Sequence, residues 1–129
     1  MIAVDTNVVV RLLVGDDPRQ SARAKAIFSQ GAILIPKSVV LETAWVLAYA
    51  YRQDRASVAA AIRAVAGLPD VEIEDSPSVA RALDIVERGI DFADALHVAS
   101  GGDSQRFVTF DRPLAHRARG VTRIEVTGA

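Results

Sequence analysis

An α/β fold, with a central and mainly parallel sheet flanked by helices in a three-layer arrangement, is what this sequence predicts. Two observations carry the prediction. Short apolar runs of strand type alternate with longer segments of helical periodicity, and strands separated by helices pair in parallel. The chain has 129 residues, half of them hydrophobic and 24% charged. That is enough for one core and too little for two ordinary domains, so residues 1–129 are expected to form a single domain.

The elements follow in order. Ile2 to Val4 is a first strand, and Asn7 to Leu13 a helix that ends near Gly15. Asp17 at the cap and Pro18 in the first turn open a second helix that runs to about Ser29. Ala32 to Ile35 is a strand stopped by Pro36, and Ser38 to Tyr51 a long helix. Asp54 begins another helix, which ends at Gly67, and Val71 to Glu74 is the third strand. Ser76-Pro77 starts a helix that runs to Gly89, and Asp91 starts one that runs to Gly101. Phe107 to Phe110 is a strand, Arg112 to Arg119 a short helix and Arg123 to Val126 a last strand.

Composition narrows the function classes. No stretch is long and apolar enough to cross a membrane. The start lacks the basic segment and cleavage site of a signal peptide, and the chain has no cysteine, so a soluble, cytoplasmic protein is expected. A formal net charge of −1 argues against a strongly basic nucleic-acid module. The distribution is uneven, however. Five arginines lie between Ser104 and Arg123 (Arg106, Arg112, Arg117, Arg119 and Arg123) against one acid, Asp111, which suits either a solvated helix face or a phosphate-contacting surface.

In an open parallel sheet, ligands bind beyond the carboxyl ends of the strands. Asp5 follows the first strand and Asp111 the fourth, so the two acids are expected at one edge. Each also stands where it can cap the next helix. Glu42 is the only charge in the apolar run SVVLETAWVLAYAY, which predicts a buried helix. A buried carboxylate needs a partner, either an arginine such as Arg11 or Arg52, or a metal ion. In GIDFADALHVASGG, Asp91 and Asp94 are spaced as a cap and the third helical position. Asp91 is assigned the cap and Asp94 the site; His97 is read as structural.

Asp5, Glu42, Asp94 and Asp111 would then converge. Such a cluster is mutually repulsive when empty and relaxed when it holds a hard cation, which takes oxygen ligands. No histidine or cysteine set suits zinc. Two such ions could clamp the attacking and leaving oxygens of a phosphodiester while turning water into a nucleophile.

Four stretches in register, VDTNVVVRLL, SVVLETAWVL, DFADALHVAS and FVTFDRPLA, make the chain resemble the PIN-domain ribonucleases and, within them, the VapC toxins of toxin–antitoxin pairs. The likeness covers essentially the whole chain. It implies a Rossmann-like sheet, Mg²⁺ or Mn²⁺ dependence and cleavage of single-stranded RNA, with Asp5, Glu42, Asp94 and Asp111 as the metal-binding acids. Asn7 and Thr109 stand where similar proteins place a polar side chain beside the acids; their ordinary roles are hydrogen bonds at a helix start and a strand end. Asp91 could also approach the site.

The mechanism expected is hydrolysis. Asp5, Asp94 and Asp111 hold a metal that activates water for in-line attack, and Glu42 holds a second ion or orients that water. The products would carry a 5′-phosphate and a 3′-hydroxyl. Arg112 and the basic segment around it would contact the RNA backbone. The resemblance further implies a homodimer and a VapB-like antitoxin, for which Trp45, Tyr49 and Tyr51 could supply a face; core packing is the ordinary role for Trp45.

Rival readings fare worse. A haloacid-dehalogenase phosphatase needs a second aspartate where Asn7 stands, and a phospho-accepting receiver needs a late lysine, whereas the only lysines are Lys25 and Lys37. A non-catalytic interaction module, with the acids serving as caps, is the better alternative.

Overall fold

A computed structural model describes all 129 residues, Met1–Ala129, in two units, Met1–Glu74 and Asp75–Ala129. In the first unit the order is β1 (Ile2–Ala3), α1 (Thr6–Leu13), α2 (Pro18–Phe28), β2 (Ile33–Ile35), α3 (Lys37–Tyr49), α4 (Arg55–Ala66) and β3 (Val71–Ile73). The sheet order is β1-β2-β3 and both pairings are parallel, with Ile2 opposite Ile33 and Ile35 opposite Ile73. Helices cross over between consecutive strands, which is the connection that parallel pairing requires.

β2 is the middle strand and carries the core. Ile33 and Ile35 are buried, together with Leu47 of α3 and Ile62 of α4, and each such side chain contributes roughly 1.5–3 kcal/mol of hydrophobic stabilisation. Local caps fix the helix starts. Asp17 accepts the Gln20 N–H to open α2, and Asp54 accepts the Ser57 N–H to open α4. α3 has no cap of its own, because Pro36 precedes it. Glu74, just past β3, supplies one: its Oε1 accepts the Lys37 N–H at 2.8 Å.

In the second unit the order is α5 (Ser76–Val86), α6 (Phe92–Ser100), β4 (Arg106–Thr109), α7 (Arg112–Ala118) and β5 (Glu125–Gly128). α5 packs on α6, and α7 packs on β4 and β5. β4 and β5 are parallel, with Phe107 opposite Val126. At the end of α6, a Cβ on Gly101 would lie 3.0 Å from Ile124 Cδ1 and 3.1 Å from the Val98 carbonyl oxygen, so only glycine fits that approach without movement.

The chain therefore adopts an α/β fold with seven helices and parallel strands, and its hydrogen bonding forms a three-stranded and a two-stranded sheet. Several ends shift by one residue, β4 spans Arg106–Thr109 rather than Phe107 to Phe110, and β5 runs on to Gly128; three further differences have local reasons. α3 stops at Tyr49 because the Tyr51 N–H reaches back to Val46 and Arg52 is left-handed, at φ 52°. α5 stops at Val86 because Arg88 and Gly89 turn back on Ile85 and Val86. β5 begins at Glu125 rather than Arg123 because the Thr122 hydroxyl donates to the Ile124 carbonyl at 2.6 Å. No helix is long and apolar enough to cross a membrane.

Candidate active site

In the first unit, Asp5 follows β1 in extended backbone and caps α1, its Oδ1 accepting the Thr6 N–H at 2.7 Å. The cap engages one oxygen, and the residue is exposed. Glu42, in the second turn of α3, is exposed as well and makes no hydrogen bond or ion pair. This corrects the expectation of a buried carboxylate. α3 is apolar nearly all round, yet it buries only Val39, Val40, Thr43, Ala44 and Leu47. Trp45 and Tyr49 are 59% and 68% exposed, with ring centroids 5.3 Å apart. Core packing is therefore not the role of Trp45.

Asp5, Asn7 and Glu42 line one open concavity of about 550 Å³ together with Arg11, Asp16 and Tyr51. Arg11 is not the partner of Glu42. Its Nη1 donates to Asp16 Oδ1 at 2.9 Å and to the Tyr51 hydroxyl at 3.0 Å, its Nε donates to Gln20 at 2.7 Å, and the Tyr51 hydroxyl donates to Asp16 Oδ2 at 2.9 Å. Arg52 pairs with no carboxylate either. Asp16 and this network escaped the sequence reading. The available signal was the doubled Asp16-Asp17, of which only Asp17 is needed as a cap. Thr6 lines the same concavity, and its hydroxyl is buried without a hydrogen-bond partner.

In the second unit, Asp94 lies in the first turn of α6 and is half-buried. Its pKa is raised above the ordinary carboxylate value by burial first, then by the charges of Asp111 and Asp91, with His97 opposing. Asp91 stands at the N-cap position of α6, but its side chain makes no capping bond. The cap assigned to it is thus one of position only, because the carboxylate does not meet an amide of the first turn. Asp111 does cap: its Oδ1 accepts the Leu114 N–H at 3.0 Å, and its own N–H donates to Thr109 Oγ1 at 3.0 Å. Thr109 thus fills the strand-end role. Arg112, at the start of α7, is exposed and unpaired.

The first unit thus brings Asp5, Asn7 and Glu42 to one concavity, and the second brings the charges of Asp91 and Asp111 each within range of Asp94. No three His, Asp or Glu side chains gather closely enough to hold an ion by themselves. The donors are nevertheless of the right kind: carboxylate oxygens suit a hard divalent cation, and Mg²⁺ takes few of them, completing its shell with water and substrate phosphate.

No curated protein matches the chain. The family model for the PIN domain matches residues 2–120. PIN domains are typically nucleases that use divalent metal ions. With that match spanning nearly all of the alternating strands and helices described above, the chain belongs to the PIN-domain family.

Proposed function

We propose that this protein is an Mg²⁺- or Mn²⁺-dependent endoribonuclease and the toxin of a VapBC-type pair, with residues 1–129 acting as one catalytic domain in the cytoplasm. One observation carries the reading. Carboxylates gather in each unit: Asp5 and Glu42 line one concavity, Glu42 without a partner, and the Asp94 pKa is raised by burial first and then by the charges of Asp111 and Asp91. Glu42 is exposed and engages no cation, so its carboxylate is available to an incoming ion.

In this reading Asp5, Asp94 and Asp111 hold the metal, and Glu42 holds a second ion or orients water. The ion, when bound, supplies a lowered water pKa and charge stabilisation at phosphorus. Asn7, Thr109 and Asp91 position the polar surroundings, and Arg112 contacts the RNA backbone. Attack by water, not by the ribose 2′-hydroxyl, leaves a 5′-phosphate. A VapB-like antitoxin and a homodimer complete the proposal by resemblance.

The test is cleavage of a labelled, mixed RNA pool with Mg²⁺, with Mn²⁺ and with chelator, alongside Asp5→Asn and Asp94→Asn. Metal-dependent cutting that both substitutions abolish is expected. A second reading, a non-catalytic interaction module, draws on the capping bonds that Asp5 and Asp111 make. Antitoxin-free protein that cuts under no condition and gains no thermal stability from metal would establish it.

A further inference from the structure

We infer that Phe110 is a stacking platform for an unpaired base of the RNA strand, placed next to Asp111. The inference rests on the proposed ribonuclease reading and extends it to how the substrate is held. Phe110 is 90% exposed, the most exposed large hydrophobic side chain in the protein. Exposure of this kind in a floppy loop would mean little, but this backbone is pinned on both sides. The Ala129 N–H donates to the Thr109 carbonyl at 2.8 Å, the Asp111 N–H to Thr109 Oγ1 at 3.0 Å, and the Leu114 N–H to Asp111 Oδ1 at 3.0 Å. A ring fixed in water without an apolar neighbour to cover it gains nothing for folding. Its face is open to something that arrives.

Charge indicates what arrives. Along β4 the exposed positions alternate as Arg106 and Val108, with Phe110 next in line. All five arginines of this end of the chain, Arg106, Arg112, Arg117, Arg119 and Arg123, are exposed, and none pairs with a carboxylate. Arg112, at the start of α7, is two residues from Phe110, whereas Arg106 and Arg123 lie toward the other end of the β4–β5 pair, so the basic groups follow the strands away from the ring. A single strand of nucleic acid is held in this way, with a base on the ring and its phosphates running along the cations. The other exposed aromatic pair, Trp45 and Tyr49, lies on α3, which has no basic residue beyond its first position, and so lacks that complement.

The experiment measures binding of a short single-stranded oligoribonucleotide carrying the fluorescent base 2-aminopurine, in chelator so that nothing is cut. Wild-type chain is compared with Phe110→Ala and Phe110→Trp, and the same proteins are then assayed for cleavage with Mg²⁺ restored. We expect Phe110→Ala to bind about tenfold more weakly and to lose the quenching that stacking produces, within the range found for one stacked base. Phe110→Trp should keep both, and binding to a duplex should be insensitive to either change. Binding by Phe110→Ala within about twofold of wild type overturns the inference, since a stacked base is worth more than that. An equal loss on duplex, or an effect confined to self-association, overturns it too, the latter assigning the ring to a protein contact.

Failure of the two readings can be told apart. Cleavage with unchanged Phe110→Ala binding removes the platform and leaves the nuclease. Phe110-dependent binding without metal-dependent cleavage does the reverse. Absence of both removes both.

Discussion

Replacing Asp94 by asparagine separates charge from shape at one position. Burial and the charges of Asp111 and Asp91 raise the pKa of Asp94 in the folded chain, so the folded state tolerates its ionised form less well than the unfolded state does. For a group shifted in this direction, the stabilising contribution is complete below the unfolded pKa and is lost as pH rises through the folded pKa. At neutral pH and without metal, ionised Asp94 therefore costs stability. Asp94→Asn removes the charge and keeps the size, so it should melt higher than wild type in chelator at neutral pH, and the gap should close as the buffer is acidified below the carboxylate range. Divalent metal should invert the order. An ion at a hundred times its dissociation constant adds about 2.7 kcal/mol to the form that binds it, on the order of 10 °C in melting temperature for a chain of this size, and the asparagine variant should gain little of that. The assay is a set of thermal melts across pH, with chelator and with Mg²⁺. A variant less stable than wild type in chelator at neutral pH would refute the electrostatic account, and an equal metal response in both proteins would refute the role of Asp94 as a ligand.

Three further outcomes follow from the same structure. Glu42→Gln should shift stability by less than about 0.5 kcal/mol, because the side chain is exposed and unpartnered, while abolishing cleavage; a marked change in denaturant midpoint would mean that the carboxylate has a structural partner. Asp111→Ala should lose about 1 kcal/mol through the missing cap on Leu114, whereas Asp111→Asn keeps a capping oxygen and should fold as wild type yet fail to cut. Retained cleavage by the asparagine form would remove Asp111 from the metal site. Leu47→Ala empties a site that is 0% exposed and should cost about 2–5 kcal/mol in urea unfolding; a loss below that range would mean that the neighbouring helices collapse into the space.

Legibility in the sequence followed the range of the interaction. Asp17-Pro18 and Asp54 announced α2 and α4 because a cap is made within three residues of its acceptor, and the structure has both bonds. Parallel pairing was readable for a similar reason, since a strand, a helix and a strand leave little choice of direction. The cap on α3 was not readable: Glu74 and Lys37 are 37 residues apart, and nothing near Pro36 points to the acid. Glu42 shows a different limit. The run SVVLETAWVLAYAY told that its helix is apolar, but which side is covered is decided by neighbours packed against it, and Trp45 and Tyr49 fall on the uncovered part. Of the candidate acids, the sequence could place Asp5 and Asp111 after strands. It could not show that Arg11 would be taken by Asp16 and Tyr51, leaving Glu42 alone.

That engagement of Arg11 has a consequence for the order of events. With its guanidinium already tied to Asp16, the concavity presents the carboxylates of Asp5, Asp16 and Glu42 against a single cation, and a strand of phosphates approaching it meets a field of its own sign. A phosphate can enter this concavity only after, or together with, an ion that reverses the field, even where the rest of the strand is already held elsewhere on the protein. Catalysis at such a mouth would be gated by sequence in time: protein mixed first with RNA and then with Mg²⁺ should show a lag that protein mixed first with Mg²⁺ does not.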